Sequence, residues 1–261
     1  MLKKISDLYL NKLRHKMNKL FVKKIIKETL GHIYYNSYKR YKRQFGNRSL
    51  IYHAFGSRLS HDTYGISINI NDFKNHLIFL KNNYDFCYIT DVNNSNELKI
   101  SITIDDGYED TLLAAEYLNL YKIPFTLFIT TDFIGKKYYL SKNNIQELCK
   151  LDNCIIGSHG KTHAKLGMIS KDNMYKELHD SKLVLEDICG VQIYGLAYPH
   201  GSYNHETIKI AKKLDYLWAA SSIKGSNNKY SNEYLLNRSE VIRTDKIKDI
   251  TKKINGFYDY Y

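Results

Sequence analysis

Ile100-Ser101-Ile102-Thr103-Ile104-Asp105-Asp106-Gly107 decides how this chain is read, because apolar and polar residues alternate in it as in a half-buried β-strand before two carboxylates and a glycine turn. At a strand's C-terminal end, adjacent acids can be aimed differently, so that one binds a cation while the other stays free to accept a proton. Neutral imidazoles complete such a ligand set. They occur in Ser158-His159-Gly160-Lys161-Thr162-His163, just after a second β-like run, Cys154 to Ile156. On a helix, His-x-x-x-His would resemble a zinc protease, but that motif carries Glu after its first His and this chain has Gly160. A loop at a strand end is therefore expected. A solvated acidic turn and an unliganded histidine pair remain the plain alternatives.

Outward from that stretch, β-like runs fall near residues 49–55, 86–92, 98–105, 123–130, 154–158, 193–199, 216–222 and 235–242, with helical patterns between most of them. The clearest helix starts at an N-cap Ser170, places Met174, Leu178, Leu185 and Ile188 on one stripe, and stops at Gly190. Strands alternating with helices give a parallel sheet, and this count favours an α/β architecture, a closed or nearly closed (β/α) barrel of seven to eight strands. An open doubly wound sheet is the alternative. Neither a Gly-x-Gly-x-x-Gly nor a phosphate loop is present, which tells against a nucleotide-binding protein.

The net charge of +12 is concentrated at one end. Residues 1–48 hold fourteen Lys and Arg against Asp7 and Glu28, and the remaining 213 residues hold twenty-five of each sign. The expected organisation is a basic helical extension over 1–48 and a catalytic domain over 49–261. Ile5, Tyr9, Leu13, Met17 and Leu20 recur at helical spacing, followed by Phe21, Val22, Ile25 and Ile26. The extension reads either as an amphipathic helix on an anionic membrane face, through residues 1–45, or as a helix packed on the barrel wall. Nucleic acid is disfavoured because no reading module accompanies the arm. No apolar run has the length of a signal peptide or a bilayer span, and Cys87, Cys149, Cys154 and Cys189 lack metal-knuckle spacing. Buried free thiols and a cytoplasmic location are the expectation.

Taken together, Thr103-Ile104-Asp105-Asp106-Gly107, His159-Gly160-Lys161-Thr162-His163 and Ala197-Tyr198-Pro199-His200-Gly201 resemble, in this order, three motifs of the polysaccharide deacetylases of carbohydrate esterase family 4, the NodB-homology group. The resemblance covers roughly residues 49–245. It implies a distorted (β/α) barrel, a divalent ion (Zn2+ by default, Co2+ or Ni2+ by ligand type) held by Asp106, His159 and His163, and Asp105 as base. It also implies the backbone N–H of His200 as an oxyanion donor and an N-acetylated carbohydrate as substrate. Tyr198, Pro199 and Trp218 are the expected substrate-contacting residues, Trp218 being equally readable as barrel filling.

Two departures from the family pattern matter. The arginine of the third motif falls on Ala197, so Arg238 or Arg243 would have to supply the charge that orients the base. The late Leu-x-His motif is missing, because no histidine follows His205. Ile51-Tyr52-His53 reproduces a hydrophobic-x-His pattern upstream, which resembles the poly-N-acetylglucosamine deacetylase branch and makes His53 the candidate acid, with His200 as rival. A barrel tolerates this permutation, since neighbouring strands stay neighbours whichever chain end supplies them. Three function classes follow: a metal-dependent carbohydrate N-deacetylase, a same-fold hydrolase of a non-sugar C–N bond, and a non-catalytic glycan-binding relative. The acids and histidines together disfavour the third.

Overall fold

The computed structural model describes residues 22, 25–41, 45–57, 59–60, 62–92 and 97–260. Seven parallel strands form one curled sheet in the order β6-β5-β4-β3-β2-β1-β7. They are β1 (Gly46–Tyr52), β2 (Leu98–Ile104), β3 (Phe125–Ile129), β4 (Cys154–Ser158), β5 (Gly195–Ala197), β6 (Trp218–Ala220) and β7 (Ser239–Glu240). Leu236, three residues before β7, makes a parallel bridge to Ala220 of β6, so the two edges of the sheet meet and the barrel closes through a short irregular seam. Helices cover the outside: α1 (residues 25–37), α2 (Ile70–Asn83), α3 (Thr111–Leu120), α4 (Lys142–Cys149), α5 (Lys171–Cys189), α6 (His205–Lys213) and α7 (Ile247–Ile254).

β1 and β3 are buried along their whole length, as parallel strands covered on both faces must be. The core runs from Leu50, Ile102, Phe125 and Leu127 out to the helix stripes of Phe73, Leu77, Ala114, Leu118 and Leu185. α5 follows its sequence pattern closely. The Ser170 side chain caps Asn173 N, the four stripe residues are buried, and Gly190 closes the helix at φ 68°. The left-handed turn favours glycine there.

The run 86–92 does not become a strand. β2 lies between β1 and β3, but its register with β3 begins only at Ile102–Phe125, so the earlier part of that edge accepts a single bridge, Phe86 to Ile100. The rest of the loop is tied down by the buried Asn47 side chain, which donates to the carbonyls of Ile89 and Asp91 at 3.1 Å each.

β1 starts three residues before the expected 49, and Arg48 is buried in it. Its guanidinium grips Asp259 near the end of the chain at 2.6 and 2.5 Å, and Lys39 joins the same carboxylate at 2.8 Å. α1 packs on the same terminal segment. Glu28 accepts from the Tyr258 hydroxyl at 2.7 Å, His32 meets Phe257 edge-on, and a Cβ on Gly31 would collide with the Phe257 ring at 2.1 Å. The helical positions expected at Ile5, Tyr9, Leu13, Met17, Leu20 and Phe21 lie outside the described residues.

The cysteine expectation is corrected. Cys149 and Cys189, the last residues of α4 and α5, form a disulfide with Cα atoms 5.8 Å apart; Cys87 and Cys154 are free. Two packed helices bring together residues 40 apart in sequence, a proximity that spacing alone does not reveal. The thiol argument for a cytoplasmic location thereby lapses, since structural disulfides belong to oxidising compartments. Among the described residues no helix is long and apolar enough to cross a membrane.

Candidate metal centre

The candidate site residues named from the sequence, apart from Trp218 and Arg243, lie at the C-terminal rim of the parallel strands, the end where barrel sites form. Parallel pairing of β1 with β2 sets Tyr52 opposite Ile104, which brings the following residues, His53 and Asp105, to the same level. β4 ends at Ser158, so His159 enters the rim from the next strand but one. A cleft of about 1010 Å3 opens here, lined by His53, Asp105, Asp106, His159, His163 and His200 among others.

Asp106 Oδ1 lies 3.5 Å from His159 Nε2 and 3.2 Å from His163 Nε2, and one ligand atom from each of the three residues falls within 4.8 Å of the others. That carboxylate oxygen is buried and has no hydrogen-bond partner. A buried polar atom left unpaired is costly, and a cation shared with two imidazoles is the partner that this donor set fits. His159 Nδ1 sits 2.8 Å from the Ala197 carbonyl. Carbonyl oxygens only accept, so Nδ1 carries the proton and Nε2 presents its lone pair. Burial pushes the His159 pKa down to about 4, leaving a neutral imidazole at pH 7. Burial also opposes protonation of His163, but the Asp106 carboxylate outweighs it and raises that pKa.

Asp105 plays no part in that triad. Burial would raise its pKa, yet the Arg238 guanidinium, helped by His159, holds it below the ordinary carboxylate value. Arg238 is itself fully buried. Its Nη1 and Nη2 donate to Asp105 Oδ1 and Oδ2 at 2.7 and 2.9 Å, its Nε to the Ser221 carbonyl at 2.9 Å, and Nη1 also to Thr103 Oγ1 at 3.1 Å. Of the two arginines expected near the site, Arg238 is the one that reaches Asp105. Arg243 does not reach the site; it pairs with Asp62 and the Ser67 carbonyl.

His53 is half-buried, its Nδ1 without a hydrogen-bond partner. His200 is exposed, tilted against the His163 ring at 4.3 Å, and its pKa is lowered by partial burial and by His163. Tyr198 lines the cleft and donates its hydroxyl to the Tyr234 carbonyl at 3.0 Å, while Pro199 is buried behind Gly160. Trp218 was open to two readings, a site wall or barrel filling. It packs edge-on against Phe128 and over Gly195, in a small cluster with Ala197, Ala220 and Leu236, and it does not line the cleft.

Three of these residues take left-handed backbone: Asp106 at φ 74°, His163 at 64° and His200 at 56°. For non-glycine residues this costs ~1 kcal/mol or more each, and strain of this kind gathers at sites that the surrounding fold over-determines. Glu177 on α5 supplies part of that determination, and sequence reading missed it. Its carboxylate accepts from Lys161 N at 3.0 Å, Thr162 N at 2.9 Å and Thr162 Oγ1 at 2.6 Å, fixing the loop between the two histidines. The available signal was a charge on the apolar stripe, three residues after Met174 and one before Leu178. Asp110 was missed too. Its Oδ2 accepts from Phe55 N and Ser57 N at 2.8 and 2.9 Å and so anchors the turn that follows His53.

Fold and rim together define a (β/α) barrel with an Asp–His–His centre and a second, arginine-clamped carboxylate. Residues 93–219 match the family model for polysaccharide deacetylases. The YxkH protein of Bacillus subtilis (strain 168), assigned to the polysaccharide deacetylases, is 30% identical over 147 residues, which cover 56% of this chain and 52% of that one. The poly-beta-1,6-N-acetyl-D-glucosamine N-deacetylase of Staphylococcus aureus (strain MSSA476) is 24% identical over 217 residues, 74% of this chain and 73% of that one. The chain thus spans about half the length of the first relative and about three quarters of the second. A crystal structure of a polysaccharide deacetylase from Bacillus cereus superposes with a TM-score of 0.71 at 23% identity, covering 80% of this chain and 69% of that one. Over residues 93–219 the chain is thus similar in sequence to the polysaccharide deacetylases, and its fold matches a solved structure of one.

Proposed function

We propose that this protein removes the N-acetyl group from an N-acetylated sugar in a glycan or glycan precursor, releasing acetate and a free amine. The observation that carries the reading is the division of labour between adjacent acids: Asp106 faces two imidazole nitrogens while Asp105 is held ionised by Arg238. Asp106, His159 and His163 would hold a divalent ion, most simply Zn2+, which supplies Lewis-acid activation of water and of the amide carbonyl.

The chain's own groups do the rest. Asp105 takes a proton from the attacking water, and the Arg238 fork keeps its carboxylate charged and pointed. His53, level with Asp105 on the neighbouring strand, gives a proton to the departing amine. It is preferred to His200, whose lowered pKa disfavours the imidazolium form. The His200 N–H is the proposed donor to the developing oxyanion. The test is acetate release from N-acetylglucosamine oligomers by the Zn2+-loaded protein; absence of release from every N-acetylated sugar offered would refute the assignment.

The described part of the basic extension supports peripheral contact with an anionic membrane. α1 leaves Ile26, Leu30 and Ile33 exposed on one stripe while Glu28, Gly31 and His32 pack on the terminal segment, and residues 1–48 carry the whole +12. An apolar stripe beside concentrated positive charge is what such a surface binds. Replacing Ile26, Leu30 and Ile33 together by Ser should reduce co-sedimentation with phosphatidylglycerol vesicles; unchanged partitioning sinks the idea.

A further inference from the structure

Most aromatic side chains that line the cleft offer no free ring face. Tyr108, Tyr198 and Tyr258 are buried, and Phe133 and Tyr139 lie against each other with ring centres 4.8 Å apart. Tyr64 lines the same cleft and is 81% exposed. A single exposed aromatic is ordinary on a protein surface. What sets this one apart is the turn that carries it.

Asp62, with a side chain only 1% exposed, accepts from Gly65 N at 2.5 Å, Ile66 N at 2.9 Å and Ser67 N at 3.2 Å, and it is paired with Arg243. Arg243 grips the turn a second time. Its Nε donates to the Ser67 carbonyl at 3.0 Å and its backbone N to the Gly65 carbonyl at 2.6 Å. Gly65 sits at φ 80°, a left-handed position that glycine takes without strain. Beyond it, the Ser67 hydroxyl and the Ile68 amide reach the carbonyls of Ser57 and Ala54 at 2.7 and 2.9 Å. The backbone around Tyr64 is therefore fixed by a buried carboxylate and by an arginine from the closing end of the barrel.

Holding a ligand-contacting residue in place beforehand removes part of the ordering cost of binding. Tyrosine suits the role, being large, amphipathic and limited to two side-chain torsions. The C–H face of a pyranose is slightly positive and packs on the negative face of an aromatic ring. Tyr64 belongs to the loop between β1 and α2, which also carries His53, and the cleft of about 1010 Å3 is at the upper end of small-ligand pockets. There is room for more than the sugar unit that reacts.

We propose that Tyr64 is a stacking platform for a second sugar ring of the glycan, one that is not itself deacetylated, and that Asp62 and Arg243 are the positioning residues that hold it. That the ligand is a glycan rests on the proposed deacetylase activity.

The experiment measures binding of N-acetylglucosamine and of its β-1,6-linked tetramer to the full chain by titration calorimetry, with a chelator present so that no turnover occurs. The tetramer should bind about ten-fold more tightly than the monomer. Tyr64→Ala should remove most of that advantage and leave monomer binding within about two-fold, whereas Tyr64→Phe, which keeps the ring, should retain it. Arg243→Gln should weaken tetramer binding in the same way and add nothing in the double variant with Tyr64→Ala, because both act through one contact. Equal affinities for monomer and tetramer in the wild type, or a tetramer advantage that survives Tyr64→Ala, overturn the platform; additive losses in the double variant overturn the role of Arg243. Failure of acetate release with the Tyr64-dependent advantage intact removes the deacetylase reading and leaves the platform standing.

Discussion

Arg238 and Asp105 meet fork to fork, two nearly equal hydrogen bonds joining side chains that are both buried. The arginine comes from the far end of the domain, 133 residues away in sequence. Lysine cannot reproduce the fork, so Arg238→Lys should keep the fold but let the carboxylate wander, with acetate release falling on the order of a hundred-fold. Arg238→Met removes the partner of a buried charge and should cost about 3–5 kcal/mol in denaturant unfolding. An Arg238→Lys variant with wild-type turnover would show that orientation of Asp105 is immaterial.

Asp105→Asn should retain the cation and lose the chemistry. Zn2+ affinity should stay within about three-fold of wild type, because Asp105 is not among the facing ligand atoms, while acetate release drops about 10²–10⁴-fold. His159→Ala should lose both, as read by metal content after gel filtration.

Zn2+ affinity should depend on pH through His163. Its raised pKa means that, below the ordinary value of about 6.5, it is protonated and paired with Asp106, a stabilisation lost as pH rises through the folded value. A cation must displace that proton. Affinity should therefore climb about ten-fold per pH unit below the His163 pKa and level off above it, with one proton released. His159, already neutral above its pKa of about 4, contributes none near pH 7. Calorimetry in buffers of different ionisation heat measures the count; an affinity that is flat from acid to neutral pH contradicts it.

Glu177→Gln keeps the side chain's size but removes the charge that holds the Lys161 and Thr162 amides. Zn2+ affinity should fall about 10–100-fold, as for other outer partners of metal ligands, with His159 and His163 untouched. Wild-type affinity in this variant would mean that the loop holds its shape without the carboxylate.

In denaturant without reductant, a thiol reagent should titrate two cysteines, Cys87 and Cys154. The double variant Cys149→Ser, Cys189→Ser should be less stable by about 3–4 kcal/mol, the loop-closure value for a sequence separation of 40. Four titratable thiols would remove the bond.

The barrel was legible because β-like runs alternate with helical patterns along the chain, and the two motif strands end in chemistry-bearing residues. The run 86–92 misled for a tertiary reason: its edge of β2 was available for one bridge only. Asp106, His159 and His163 could be grouped from the motifs, and Arg238 was named with Arg243 because charge had to come from somewhere. Choosing between the two arginines needed the closing seam, where Arg238 N bonds the Ile223 carbonyl and directs the side chain inward. Glu177 stayed hidden because a lone charge on an apolar stripe does not reveal its partners, here two backbone amides and the Thr162 hydroxyl.

Arg48 and Asp259 buckle the first strand to the last few residues. A nonsense codon after Ile254 would spare every helix and strand of the barrel, yet it would strand the Arg48 guanidinium in the interior with its counter-ion deleted. The damage would reach β1, and through it the turn that presents His53. The tail thus acts as a clasp, and proteolytic trimming of this end should inactivate the molecule from a distance.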